Sequence, residues 1–126
     1  MNRISFAVLC NLFVLCFSLS CRQLHHNNTN IHISESDNYY TLSARYDPDE
    51  TRNLENYMTN KIGRTSDISF VNTRIKGQLT LDDNTTFYIQ KYPGYLEIKL
   101  DKRRNSYESY QRMKQMFEGI KKAVIQ

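Results

Sequence analysis

Apolar side chains follow two different spacings along this chain, and the switches between them mark its elements. From Asn38 to Tyr46 the pattern alternates, with Tyr40, Leu42, Ala44 and Tyr46 on one side and Tyr39, Thr41, Ser43 and Arg45 on the other. A period of two predicts a half-buried strand. The period then lengthens. Asp47-Pro48-Asp49-Glu50 has the form of a helix start, with Asp47 as cap, Pro48 in the first turn and Glu50 placed to close a capping box. Leu54, Tyr57, Met58 and Ile62 follow at helical spacing, and Gly63 is expected to supply a left-handed exit.

Residues 64–72 fit neither period cleanly. Ile68 and Phe70 share a face if extended, yet Ile75, Gly77, Leu79 and Leu81 fall on the opposite parity, which predicts a bulge or break near Asn72. Phe87 and Ile89 mark the next strand and Leu96, Ile98 and Leu100 another, with turns at Asp82-Asp83-Asn84 and Tyr92-Pro93-Gly94. Three strands joined so closely predict an antiparallel meander. Asn105 and Glu108 repeat the capping-box spacing, and Tyr107, Tyr110, Met113, Phe117, Ile120 and Val124 then recur every three or four residues. This predicts a long amphipathic helix whose other side carries Arg112, Lys114, Gln115, Glu118, Lys121 and Lys122. A membrane-surface role for that basic side is the weaker reading, because so small a domain needs the apolar stripe for its core.

The predicted order is β-α-β-β-β-α, which implies an α+β two-layer sandwich: a four-stranded, mainly antiparallel sheet with both helices on one face. The domain spans residues 37–126. If Leu42, Leu79, Ile89 and Ile98 look toward the helices, the far face shows Tyr39, Thr41, Arg45, Arg74, Lys76, Gln78, Tyr88, Gln90, Tyr95, Glu97 and Lys99. A one-sided sheet has a wet face by default. The sharper reading is a docking surface centred on Arg45, Arg74, Lys76, Tyr88, Tyr95 and Lys99, extended by the turn Lys91-Tyr92-Pro93-Gly94-Tyr95, since Tyr and Arg are favoured where partners bind.

The N-terminal part is different in kind. Arg3 precedes an apolar run from Ile4 to Leu19 that ends at Ser20-Cys21, too short to span a bilayer comfortably and shaped like a secretory signal peptide, residues 1–20. The stretch Phe17-Ser18-Leu19-Ser20-Cys21 resembles the lipobox of bacterial lipoproteins, although Ser18 and Leu19 stand where that family most often has Leu and a small residue. The resemblance implies cleavage before Cys21, diacylglyceryl attachment to its sulfur and anchoring in the lipid bilayer. Cys10 and Cys16 lie inside the leader, so Cys21 is the single cysteine of the mature chain, and lipidation accounts for an otherwise odd thiol. Cleavage by signal peptidase I and plain secretion is the alternative, and a single N-terminal membrane anchor is disfavoured by Arg22 and His25 so close behind. Signal, tether and one compact domain look like the small envelope lipoproteins of Gram-negative bacteria. In that group Arg22, in place of an aspartate, implies the outer membrane, with the domain facing the periplasm.

Residues 21–36 are polar, rich in Asn and His, and interrupted only by Leu24, Ile31 and Ile33, which predicts a flexible tether. All three histidines, His25, His26 and His32, fall there; without a fourth ligand or a rigid frame no metal site is expected. Asn27-Asn28-Thr29 and Asn84-Thr85-Thr86 match the glycosylation pattern, which matters only in a eukaryotic secretory pathway. The formal charge of +4 includes Arg3 of the leader, so the mature surplus is mild and compatible with an anionic lipid, glycan or acidic protein.

Residues 37–126 contain no histidine and no cysteine, which removes Ser-His, Cys-His and zinc-histidine chemistry. The four glycines are scattered and form no phosphate loop or dinucleotide fingerprint, so no cofactor is expected. Asp82 and Asp83 read as turn residues and not as a catalytic pair. The expectation is a non-enzymatic, structural or accessory binding protein of an envelope assembly. A module that binds an anionic glycan or peptide on the Tyr/Lys/Arg face is the alternative. Single-stranded nucleic-acid binding, which basic sheets with aromatics also perform, is disfavoured by export.

Overall fold

Five strands pair into one antiparallel sheet in the computed structural model, which describes residues 29–125. The strands are β1 (Asn30–Glu35), β2 (Tyr39–Arg45), β3 (Ile75–Thr80), β4 (Thr86–Tyr92) and β5 (Tyr95–Asp101). Helix α1 (Thr51–Met58) lies between β2 and β3, and α2 (Tyr107–Ile125) follows β5. The order across the sheet is β1-β2-β5-β4-β3, with every neighbouring pair antiparallel. The predicted meander is therefore present as β3-β4-β5, and β2 closes against β5. The predicted signal peptide, Cys21 and the predicted tether as far as residue 28 lie outside the described residues. Among the described residues no helix is long and apolar enough to cross a membrane.

The class is α+β as expected, but the sheet has five strands and the order is β-β-α-β-β-β-α. The extra strand, β1, takes residues 30–35 out of the predicted tether. Ile31 and Ile33 stand opposite Ala44 and Leu42 and pack against the core, while His32 and Ser34 remain exposed. Two half-covered isoleucines are a weak alternation by themselves. What holds them is the edge of β2 and a tight turn, in which Ser36 N–H donates to the Tyr39 carbonyl (2.9 Å) and Ser36 Oγ accepts from Tyr39 N–H (3.1 Å). A second tie comes from Glu35, which accepts from Tyr110 Oη of α2 and from Lys102 Nζ at 3.2 Å. That bond to Glu35 pushes the Tyr110 phenol up to about 12.

One core joins the inward side of the sheet to both helices. It holds Tyr40, Leu42, Ala44, Ile89, Leu96, Ile98 and Leu100 from the strands, Leu54 and Met58 from α1, and Met113, Met116, Phe117, Ile120 and Val124 from α2. Tyr40 stacks on Phe117 with ring centroids 4.9 Å apart and meets Tyr110 edge-on at 5.4 Å, so the aromatic payload of β2 docks directly on α2. The predicted stripe on α2 is correct from Tyr110 onward; Tyr107, at the first turn, is 71% exposed and belongs to the surface.

Helix boundaries differ from their signals in instructive ways. Asp47 Oδ1 accepts from Asp49 N–H at 3.0 Å as a cap should, but Glu50 turns away to accept from Asn53 Nδ2 at 2.8 Å, leaving the box open. Helical backbone does not stop at Gly63. It runs through a π-helical turn (Thr59–Gly63) and on to Arg64–Ser66, and the left-handed exit is Asp67, at φ 56° and ψ 38°. Residues 67–74 then form a loop and no strand; Phe70 is buried in it, and Phe70 N–H donates to Thr59 Oγ1 at 3.0 Å. At the other helix the cap is Ser106, whose Oγ accepts from Ser109 N–H at 3.1 Å. Asn105 instead staples the sheet: its Oδ1 accepts from Thr86 N–H, and its Nδ2 donates to the Thr86 and Asp101 carbonyls.

Candidate functional site

The face of the sheet turned away from both helices is a lattice fixed by register. Thr41, Lys99, Tyr88 and Gln78 stand abreast across β2, β5, β4 and β3, and Ser43, Glu97, Gln90 and Lys76 form the next row. Arg45 lies opposite Tyr95, which lies opposite Tyr92, and Tyr39 lies opposite Asp101. None of these side chains is buried, and none is a large aliphatic. Directly opposed residues in such a sheet are about 5 Å apart at their Cβ atoms, and diagonal neighbours are still within reach of aromatic and long side chains.

Two aromatic clusters result. At the hairpin end Tyr92 and Tyr95 stack at 4.7 Å, the Arg45 guanidinium lies 5.6 Å from the Tyr95 centroid, and Tyr95 Oη donates to Glu97 at 2.7 Å. That hydrogen bond to Glu97 holds the Tyr95 phenol above its ordinary value. Gly94 permits the tight hairpin because it sits at φ 81°, where a side chain is strained. At the opposite end Tyr39 carries Lys99 Nζ at 4.3 Å from its ring and the Arg103 guanidinium at 5.4 Å. Arg103 also grips Asp101, Nε to Oδ1 at 3.0 Å and Nη2 to Oδ2 at 3.1 Å, and donates from Nη2 to Tyr39 Oη at 3.0 Å. The Arg103 guanidinium holds the Asp101 carboxyl below the usual carboxylate range.

The six residues predicted for the face do not form one group. Arg45 and Tyr95 belong to the hairpin cluster, while Tyr88 and Lys99 line a cleft of about 320 Å³ beside Tyr39. Lys76 stands exposed opposite Gln90, outside both clusters. Arg74 sits in the loop before β3 and lines a separate cavity of about 250 Å³ with Thr51, Glu55, Asn72, Thr73 and Pro93. Sequence reasoning misses Arg103 and Arg104, which complete the cleft from a 3₁₀ turn (Lys102–Arg104) after β5. The signal that could find them is the basic run Lys102-Arg103-Arg104 directly behind the last strand.

Lys91 is a second correction. Expected in the exposed turn, it is 1% exposed on the core side of β4, where its Nζ donates to Glu55 Oε2 of α1 and to the Thr73 carbonyl at 2.6 Å. Parity explains this: Phe87, Ile89 and Lys91 share the inward face, and a cation there must find a carboxylate. Nearby Tyr46 is buried, its hydroxyl has no hydrogen-bond partner among the described residues, and burial pushes the phenol up to about 12.

The remaining candidates carry local structure. Asp82 Oδ1 accepts from Ser66 Oγ at 2.9 Å, and Asp83 accepts from Thr85 N–H at 3.0 Å and from Arg112, so both carboxylates are occupied in holding the turn. His32, alone of the three histidines within the described residues, is exposed on the outer face of β1. No protein family, curated protein or solved structure matches this chain.

Proposed function

We propose that this chain is a lipid-anchored, non-catalytic accessory protein of the cell envelope that docks a partner protein on the open face of its sheet. The observation that supports it best is the Arg45-Tyr95-Tyr92 cluster: three half-buried or exposed side chains held against one another at a hairpin end, with Lys76 and the Tyr39 cluster extending the same face. A tyrosine has only two side-chain torsions to immobilise on binding, and Tyr and Arg are enriched among the residues that dominate interface energetics. On this reading the acyl chains on Cys21 hold the domain at the outer membrane, facing the periplasm; a secreted form is the alternative location.

Crosslinking and mass spectrometry from intact envelopes test the docking half. A specific envelope protein is expected to crosslink to β2 and the β4-β5 hairpin, and Tyr95→Ala is expected to weaken its capture about tenfold, equivalent to roughly 1.4 kcal/mol. Capture that is unchanged in Tyr95→Ala and in Arg45→Glu counts against this face. The anchoring half has its own measurement. Wild-type protein is expected to take up labelled fatty acid and sediment with membranes, and Cys21→Ala to lose both signals. A wild-type chain that takes up no lipid would end the lipoprotein reading.

A second reading, an anionic glycan or peptide as ligand, is favoured by one observation: the cleft beside Tyr39 is concave and lined by Lys99, Arg103 and Arg104 against the single carboxylate of Asp101.

A further inference from the structure

We infer that the cleft bounded by Tyr39, Tyr88, Lys99 and Arg103 is a subsite for one sugar residue bearing a carboxylate or phosphate. The inference rests on the second reading above and is independent of a protein partner on the hairpin cluster.

Charge comes first. Three cations face one carboxylate in this cleft, and that carboxylate is already committed: both Asp101 oxygens are engaged by Arg103, with Arg104 Nε 3.8 Å from Oδ2. Asp101 therefore acts as a clamp on the guanidinium. Arg103 commits Nε and Nη2 to Asp101 and Tyr39, which leaves the two N–H groups of Nη1 to a ligand. Lys99 pairs with no carboxylate among the described residues and rests over the Tyr39 ring. A preset guanidinium and an uncommitted ammonium, with a net charge of about two positive once Arg104 and Asp101 are counted, suit one acidic group.

Shape and the other walls select the rest of the ligand. At about 320 Å³ the cleft lies near the lower end of small-molecule sites, roughly 300–1,000 Å³, which suits a single ring and its substituent. Tyr88 stands directly between Lys99 and Gln78 in the sheet, so a ring laid on the phenol has an ammonium on one side and an amide on the other. Sugars match this alternation: a C–H face packs on an aromatic ring while hydroxyls meet the Gln78 amide. A hydrophobic ligand would cover the Gln78 amide, the Lys99 ammonium and Arg103 Nη1 without a partner, at a penalty per group that exceeds what so shallow a site gains by burial.

Titration calorimetry and amide chemical-shift mapping on the folded wild-type protein, in low salt, test the assignment. The probes are oligogalacturonate, glucose 6-phosphate, a neutral dextran oligosaccharide of equal length, and inorganic phosphate. Oligogalacturonate or glucose 6-phosphate is expected to bind, shifting amides of Tyr39, Tyr88 and Lys99, and the neutral sugar is not. Lys99→Glu and Arg103→Gln are each expected to weaken binding at least tenfold and Tyr88→Ala about tenfold, while Arg74→Gln, outside the cleft, leaves it unchanged. The polymer binding much more tightly than the sugar phosphate identifies a chain-glycan site; the reverse order identifies a free sugar phosphate.

Three results overturn the inference: no binding by either acidic probe, equal binding of the neutral sugar, or inorganic phosphate binding as tightly as the sugars. Partner crosslinking at Tyr95 is unaffected by any of these, so failure here is separable from failure of the docking reading.

Discussion

Lys91→Ala is expected to cost this domain roughly 3–5 kcal/mol, because it strands a buried Glu55 carboxylate that pairs with no other cation among the described residues. Marginal stability makes that severe: against a typical reserve of about 5–15 kcal/mol, it lowers the melting temperature by more than about 10 °C. Glu55→Ala should be comparably damaging, since it leaves Lys91 with only the Thr73 carbonyl. The double variant Lys91→Met with Glu55→Leu separates the alternatives. Apolar side chains of similar volume restore packing without desolvated charge, so most of the lost stability should return. Thermal melts of the three proteins check this. A single variant that melts within a degree of wild type would mean the pair is solvated in solution. The Thr73 contact adds a local readout, because the loop of residues 67–74 is pinned through Lys91 and should become sensitive to protease in Lys91→Ala before the sheet melts.

The same pair bears on the interface. Since Lys91 points into the core, the double variant should retain partner capture at the hairpin, whereas Tyr95→Ala should weaken it about tenfold. Loss in the double variant with capture unchanged in Tyr95→Ala would move the contact surface to the α1 side of the sheet.

How much of the fold and of the cleft is legible in the amino-acid sequence depends on how far each signal reaches along the chain. Strand alternation is local, so the inward set of Tyr40, Leu42, Ala44 and Tyr46, the meander and the wet face can all be read directly. Edge strand β1 cannot. Its two isoleucines become informative only once β2 is known to offer Leu42 and Ala44 opposite them. Lys91 requires a partner 36 residues earlier in the chain, and no periodicity announces that. The cleft is hidden for a related reason. Tyr88 and Lys99 are legible by parity, but Arg103 reaches Tyr39 only because β2 pairs with β5 in a register that sets Tyr39 opposite Asp101. Caps mislead by one residue: Asn105 has the better capping chemistry on paper, yet its amide is needed by Thr86 and Asp101, and Ser106 caps instead.

Gly63 shows how a correct residue can be assigned the wrong physics. A glycine after a helical stripe predicts a left-handed terminus, for which Asn is the usual second choice. Here Gly63 is right-handed helical at φ −79°, and the reason for glycine is proximity: a Cβ at this position would lie 2.1 Å from the Ile68 carbonyl oxygen. The chain folds back so closely that Ile68 N–H also donates to the Gly63 carbonyl, at 2.8 Å. Gly63→Ala should therefore destabilise by roughly 2–3 kcal/mol, toward the upper part of the overpacking range, after the ~1 kcal/mol that alanine gains in helix propensity. Gly63→Asn should be at least as harmful, which a left-handed position would not show. Asp67, the residue that does adopt φ 56°, should behave oppositely, with Asp67→Gly neutral or stabilising by up to about 1 kcal/mol. Denaturant midpoints for the three variants decide the matter. Tolerance of Asn at residue 63, together with a loss in Asp67→Gly, would return the helix terminus to Gly63 and remove the close contact with Ile68 on which the 67–74 loop is folded.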